Sequence, residues 1–338
     1  MKAVVLIGAG DTDMLKLIDV PDPVIERPQD VLVRLHAAGI NPVDYKLRKK
    51  GGYYPDRLPI ILGCDGAGIV EDVGKGVTKF QAGDEVFFFN GGIGGDEQGN
   101  YAELTVVHQD YLAAKPKRLS MVEAASVPLV WLTAWEALFD RYKLQTSDTI
   151  LIHAGAGGVG YIAIQIAKHA GATVITTISN QEKAEFAKAI GADHCLNYKD
   201  DNFVEKVLDL TGGKGVDVVF DVVGGEVFAK SFSATKIYGH VVTLAEIDIR
   251  ISDAKVAKLR NLSLAYELML TPMYFKMHDA RVRQTSMLEN AARLIDAGYI
   301  KVVVSNVFSL AEAALAHQIV ESGHSIGKTV IKLSNFEM

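Results

Sequence analysis

Apolar and polar positions follow two rhythms along the chain. Up to about residue 122, the runs 2–7, 30–38, 68–73, 85–89 and 102–107 read as short strands separated by turns rich in glycine and proline. Such strands without intervening helices predict a small barrel rather than an open sheet. From about residue 121, strands at 149–153, 173–179, 194–197, 216–223 and 240–245, with a weaker one at 262–268, alternate with amphipathic helical stretches. That alternation predicts an α/β doubly wound parallel sheet. The tail reads as helix 285–298, strand 301–308, helix 310–322 and strand 329–333, and is expected to rejoin the first domain. The predicted partition is therefore 1–122 with 273–338 as one domain and 123–272 as the other.

Composition narrows the class of protein. The chain has 338 residues, 49% of them hydrophobic, and a net charge of −6; this is enough for two substantial cores. Mild acidity without a basic cluster argues against nucleic acid or an anionic membrane as the main partner. Residues 1–10 lack the flanks of a signal peptide, and no apolar run reaches spanning length, so the cytoplasm is the expected location. Cys64 and Cys195 are the only cysteines, too few for a disulfide framework or a four-cysteine zinc lobe.

Candidate chemistry begins at Gly155, Ala156, Gly157, Gly158, Val159 and Gly160, which lie between the strand run 149–153 and the helical run 161–168. Strand, glycine turn, helix is the context a dinucleotide site requires. Glycines permit close approach of a pyrophosphate, and free N–H groups at the helix start supply hydrogen bonds and partial positive charge. An NAD site carries an acid about 20 residues further on, whereas this chain has Val174 to Asn180 without one. Ser179, Asn180 and Lys183 instead suit a 2′-phosphate, which predicts NADPH as the cofactor. Ser179 and Asn180 also fit a plain helix cap.

The segments Ala38 to Lys46, Leu62 to Val70, Val73 to Val77, Gly83 to Val86 and the Ala156 to Gly160 turn together resemble the medium-chain dehydrogenase/reductase superfamily. Within it, the chain looks like the zinc-independent, ζ-crystallin-like quinone oxidoreductases and the plant-type alkenal reductases. The resemblance spans nearly the whole chain. It implies a GroES-like catalytic domain built from both chain ends around a Rossmann domain, and homodimers or homotetramers joined at the Rossmann domains. Zinc-dependent members place a cysteine at Asn41, a His-Glu pair at Cys64-Asp65 and a second cysteine near Leu129. With asparagine and leucine at two of these places, the three-ligand set of a catalytic zinc is not met.

The resemblance also implies that the Asn41-Pro42-Val43-Asp44 segment lines the nicotinamide and substrate pocket. It further implies that a tyrosine before a proline, here Tyr54, donates a proton or hydrogen bond; Tyr53 competes for that place. Asn41 would offer an amide donor, and Asp44 would position Lys46 or substrate, or merely stabilise a turn. Tyr198 matches a position near the adenosine ribose phosphate. Lys328 lies where the chain returns beside the cofactor and is assigned to that side, although a surface lysine is the simpler reading. His153 is expected to pack beneath the glycine turn. Phe87 to Phe89, Trp131 and the 269–277 stretch are apolar enough to meet a small apolar conjugated carbonyl or quinone, or to form core or a subunit seam. Strand alternation forbids all three phenylalanines from lining one cavity. The expected activity is NADPH-dependent hydride transfer to a quinone, with enone double-bond reduction as the alternative. A non-catalytic NADPH-binding protein is the alternative of another class.

Overall fold

The computed structural model describes residues 1–199, 202–246 and 250–333. The chain divides into two compact units, Met1–Leu132 with Leu270–Met338, and Thr133–Met269.

The Thr133–Met269 unit holds a six-stranded sheet, parallel throughout. Its spatial order is His194–Asn197, Thr173–Ile178, Thr149–Ile152, Val216–Asp221, Thr235–Thr243 and Ser263–Tyr266. In chain order this is 3-2-1-4-5-6, the Rossmann arrangement, with a switch point outside the carboxyl ends of the first and fourth strands. Parallel sheets are covered on both faces. Accordingly Leu151, Ile175, Val219 and Val241 are buried in one cluster with the helical Val207, Phe228 and Phe232.

In the first unit, strand Asp30–Ile40 organises the larger sheet. It pairs along its length with Asp65–Val73, through its first half with Leu104–His108, and through its end with the C-terminal strand Lys328–Lys332, all antiparallel. Val304–Ser309 lies beyond Lys328–Lys332, and Glu85–Phe89 and Leu112–Ala114 continue beyond Asp65–Val73. Val31, Val33, Leu35, Val70, Val86, Phe88 and Val107 fill the interior of this GroES-like barrel. A second sheet joins Leu15–Asp19, Lys2–Leu6 and Ile60–Ile61. Phe87, Phe88 and Phe89 are all buried, because this strand is covered on both faces.

Several elements depart from the pattern-based expectation, three of them for a legible reason. Strand Leu15–Asp19 has only its first residue buried, so no alternation announces it. Helix His278–Asp296 begins seven residues before the expected 285 because its first turns bury polar side chains, Arg281 and Gln284, rather than apolar ones. Helix Pro42–Lys50 is marked by its ends rather than by an apolar stripe. Asn41 is its N-cap residue, Pro42 opens it, Asp44 follows at N3, Arg48, Lys49 and Lys50 close it, and Gly51 adopts φ 83° after it.

Candidate active site

Local packing dictates the glycine turn in the parallel-sheet unit. A Cβ on Gly155 would stand 2.0 Å from Thr176 Oγ1, and one on Gly160 would stand 2.3 Å from the Ala154 carbonyl oxygen. Neither position admits a side chain without displacing its neighbours. Gly157 is different: its φ is −76°, it caps helix Gly158–His169, and a Cβ there would meet only Ala154 O, at 3.3 Å. The fold itself therefore does not exclude a side chain there as it does at Gly155 and Gly160. His153 lies under the turn, fully buried, hydrogen-bonded to Thr177 Oγ1 at 3.1 Å and Ser231 Oγ at 2.9 Å. Thr177 Oγ1 also accepts the Ala154 N–H. Burial lowers the imidazole pKa to about 4, so His153 is a neutral packing residue.

Neighbouring strand ends bring the other nucleotide candidates together. Ile178 pairs with Asn197, and Tyr198 N–H donates to the Ile178 carbonyl at 3.1 Å; Tyr198 thus stands beside the strand end that leads to Ser179. Asn180 caps helix Gln181–Ala189, its Oδ1 accepting Lys183 N–H at 2.9 Å. Ser179 and Lys183 are half-buried, and the Tyr198 side chain is exposed. Two hydroxyls, an amide and an ammonium therefore gather at the carboxyl ends of two parallel strands, where open α/β sheets bind ligands.

In the barrel unit, three strand ends converge on a buried polar cluster. Ile40 pairs with Thr329, and Gly39 pairs with Asp65, so Asn41, Lys328 and Asp65 meet just beyond. Asn41 Nδ2 donates to Asp65 Oδ2 at 2.8 Å, and Leu129 N–H donates to Asp65 Oδ1 at 2.8 Å. Lys328 Nζ donates to the Ile40 carbonyl at 2.9 Å and to Asn41 Oδ1, and lies 3.9 Å from Asp65 Oδ2. Asp44 Oδ2 accepts Asn41 N–H at 2.7 Å and Tyr101 Oη–H at 2.9 Å. Asn41, Asp44, Asp65 and Tyr101 are all 0% exposed.

This corrects the reading of Lys328 as a surface lysine: it is 3% exposed, because the register of the last strand carries it inward. Burial raises the Asp44 carboxyl to about 7; burial also raises Asp65 to about 6, against the opposing pull of Lys328. Burial lowers the Lys328 ammonium pKa, with both carboxylates opposing. Asp44 anchors the helix start and Tyr101. Neither Tyr101 nor the partnership of Asp65 with Lys328 was predicted, since only strand register joins residues so distant in sequence.

Tyr54 lines a cavity of about 680 Å³ within the barrel unit, together with Gly91, Ile93, Met273 and Lys276. Its ring stacks on Tyr274, with centroids 5.8 Å apart, and its hydroxyl lies 3.4 Å from the Tyr274 carbonyl. The Tyr53 side chain is exposed and meets Tyr274 edge-on. Met269, Leu270, Met273 and Trp131 are buried, whereas Tyr274 and Phe275 are exposed.

A catalytic zinc does not fit the Asn41–Asp65 cluster. Of the four positions Asn41, Cys64, Asp65 and Leu129, only Cys64 and Asp65 carry ligand atoms, and zinc needs three from the protein. Both Asp65 oxygens already accept N–H donors, and an ammonium lies beside them.

Residues 27–117 match the family model of the alcohol dehydrogenase GroES-like domain, and residues 190–331 match that of a zinc-binding dehydrogenase. The chain is 34% identical to a quinone oxidoreductase of Pseudomonas aeruginosa, over 91% of this chain and 93% of the relative. It is 33% identical to a 2-haloacrylate reductase of Burkholderia sp., over 90% and 91%. The Escherichia coli quinone oxidoreductase solved with NADPH superposes with a TM-score of 0.86 at 29% identity, covering 98% of this chain and all of the other. The chain belongs to the medium-chain dehydrogenase/reductase superfamily, among the quinone oxidoreductases, and is an oxidoreductase.

Proposed function

We propose that this protein is an NADPH:quinone oxidoreductase working without a catalytic metal. The observation that carries the cofactor half is the gathering of Ser179, Asn180, Lys183 and Tyr198 at two strand ends, with no acid from Val174 to Asn180. An acid there would repel a 2′-phosphate, while hydroxyl, amide and ammonium donors hold one. The N–H groups of the Gly155 to Gly160 turn hold the pyrophosphate in the same reading. Bound NADPH supplies hydride to an electron-poor acceptor. In this assignment Asn41 and Asp44, both fully buried, shape the acceptor side from behind its surface; Asp65 and Lys328 fix the Asn41 carboxamide, and Tyr54 donates a hydrogen bond or proton to the reduced oxygen. The acceptor is a small apolar quinone, reduced to its hydroquinone. We further assign a homodimer or homotetramer. Among the described residues no helix is long and apolar enough to cross a membrane.

Similarity to the 2-haloacrylate reductase favours a second acceptor class, conjugated double bonds. There hydride would go to the β-carbon of an α,β-unsaturated carbonyl, and Tyr54 would protonate the resulting enolate. NADPH oxidation against matched quinones and 2-enones, with NADH alongside and products identified, separates the two. Quinone turnover with NADPH preferred is expected; enone turnover alone selects the second class, and a preference for NADH overturns the phosphate assignment. Tyr54→Phe should slow enone reduction by about 10²–10⁴-fold if the phenol is a general acid, and quinone reduction far less. An equal, negligible effect on both removes Tyr54 from the mechanism.

A further inference from the structure

Away from the Asn41–Asp65 cluster, the barrel unit carries a second set of metal-competent side chains. His108 ends strand Leu104–His108, Asp110 lies in the turn Gln109–Tyr111, and His278 opens helix His278–Asp296. One potential ligand atom from each lies within 4.8 Å of the other two, and this is the only such group among the described residues.

The arrangement is ordered around one carboxylate oxygen. Asp110 Oδ1 is held by the Lys79 ammonium. Its other oxygen, Oδ2, is 3.6 Å from His108 Nδ1 and 3.6 Å from His278 Nε2. In a tetrahedral site with bonds of roughly 2.0–2.1 Å, ligand atoms are about 3.3–3.4 Å apart; both carboxylate–imidazole distances are near that spacing, and rotation of the imidazoles would have to bring the third pair, now within 4.8 Å, to it. His278 is also aimed. Its Nδ1 lies 2.9 Å from Tyr111 Oη, and with the proton on Nδ1 that bond leaves the Nε2 lone pair facing Asp110. This is the outer hydrogen bond that metal-binding imidazoles characteristically make. His108 Nδ1 accepts the Asp110 N–H at 3.2 Å, which keeps that nitrogen unprotonated; coordination through it would exchange a long hydrogen bond for a metal bond.

We propose that His108, Asp110 and His278 form a site for one divalent transition-metal ion of the zinc or copper(II) class, completed by water. Two imidazoles select such ions over magnesium or calcium, which take oxygen ligands. The ion ties the start of helix His278–Asp296 to the barrel strand that ends at His108, and it takes no part in hydride transfer. Lys79 on the same carboxylate, and the Arg281 guanidinium 3.6 Å over the Tyr111 ring, oppose a cation and keep the affinity modest.

The test is zinc titration of the full chain, stripped with chelator, by calorimetry. Cobalt(II) spectra are recorded in parallel, on the parent and on Cys64→Ser. One zinc per chain is expected, with a cobalt d–d band free of any thiolate charge-transfer band and unchanged in Cys64→Ser. His108→Ala and His278→Ala should each weaken zinc at least tenfold, and Asp110→Asn, which keeps the side-chain shape, should do the same. Metal-free melting curves matching the parent establish that the variants fold. Parent-like zinc affinity in the doubly substituted H108A/H278A chain, a thiolate band, or no saturable binding by the parent at millimolar zinc would each overturn the proposal.

Discussion

At Lys328 one buried ammonium faces the Asn41 carboxamide and the Asp65 carboxylate. Removing a single partner of a buried charge pair typically costs about 3–5 kcal/mol, because the other charge is left without compensation. Lys328→Met should therefore lower stability to denaturant by roughly that amount. Adding Asp65→Asn should recover part of the loss, since no charge then remains to be stranded. A loss under about 1 kcal/mol for the single variant, or a double variant equal to the sum of the singles, would mean the pair is not coupled. At this scale, legibility in the sequence depended on contiguity. Gly155, Gly157 and Gly160 declared themselves because their spacing and flanking elements are local. Asn41 and Asp44 were visible as a motif, but Tyr101 and the inward turn of Lys328 follow from register between strands that begin at residues 30, 65 and 328, and no local pattern encodes that.

Elements carry their own titration. The π-helix Glu136–Tyr142 presents the Glu136 carboxyl to Glu267, which follows the last strand of the parallel sheet; Arg141 Nε donates to Glu267 Oε2 at 2.8 Å. Burial first, then the Glu136 carboxyl, raises the Glu267 pKa from 4.5 to about 8. The folded state thus holds a proton that the unfolded chain has released. This contribution is full below pH 4.5 and is lost as pH rises to about 8; the loss is on the order of 5 kcal/mol. Glu267→Gln stays neutral throughout, so its melting temperature should fall less between pH 6 and pH 9 than the parent's. Parallel slopes for the two proteins would refute the shared-proton account. Element prediction succeeded where apolar periodicity was strong, as in the five main strands of the parallel sheet. It missed helix Pro42–Lys50, whose signal lies in its capping residues, and the start of helix His278–Asp296, whose buried face includes Arg281 and Gln284.

For the molecule as a whole, the parallel sheet ends in a strand with an unused side. Ser263–Tyr266 pairs only with Thr235–Thr243 among the described residues, and Leu264, Tyr266 and nearby Leu268 are 40%, 58% and 53% exposed. Apolar side chains on an open strand invite pairing with another chain, and monomeric proteins blunt such edges with charge or proline. This edge has neither within the strand. A two-fold axis beside it would join two copies isologously, edge to edge, doubling the six strands into one sheet. Light scattering on the eluting protein should then give at least twice the 36.6 kDa chain mass. Leu264→Lys combined with Tyr266→Lys places charge at the centre of the proposed seam, where it would be buried unpaired, and should convert the dimer to monomers that retain nucleotide binding. A parent of single-chain mass would reject the seam. Variants that stay dimeric would move the interface to another face of the parallel-sheet unit, where Ile237, Tyr238 and Leu259 are also exposed. The edge strand is the stronger choice because it offers an open ladder side as well as exposed apolar area, and an interface that satisfies both is stabilised by hydrogen bonding and burial together.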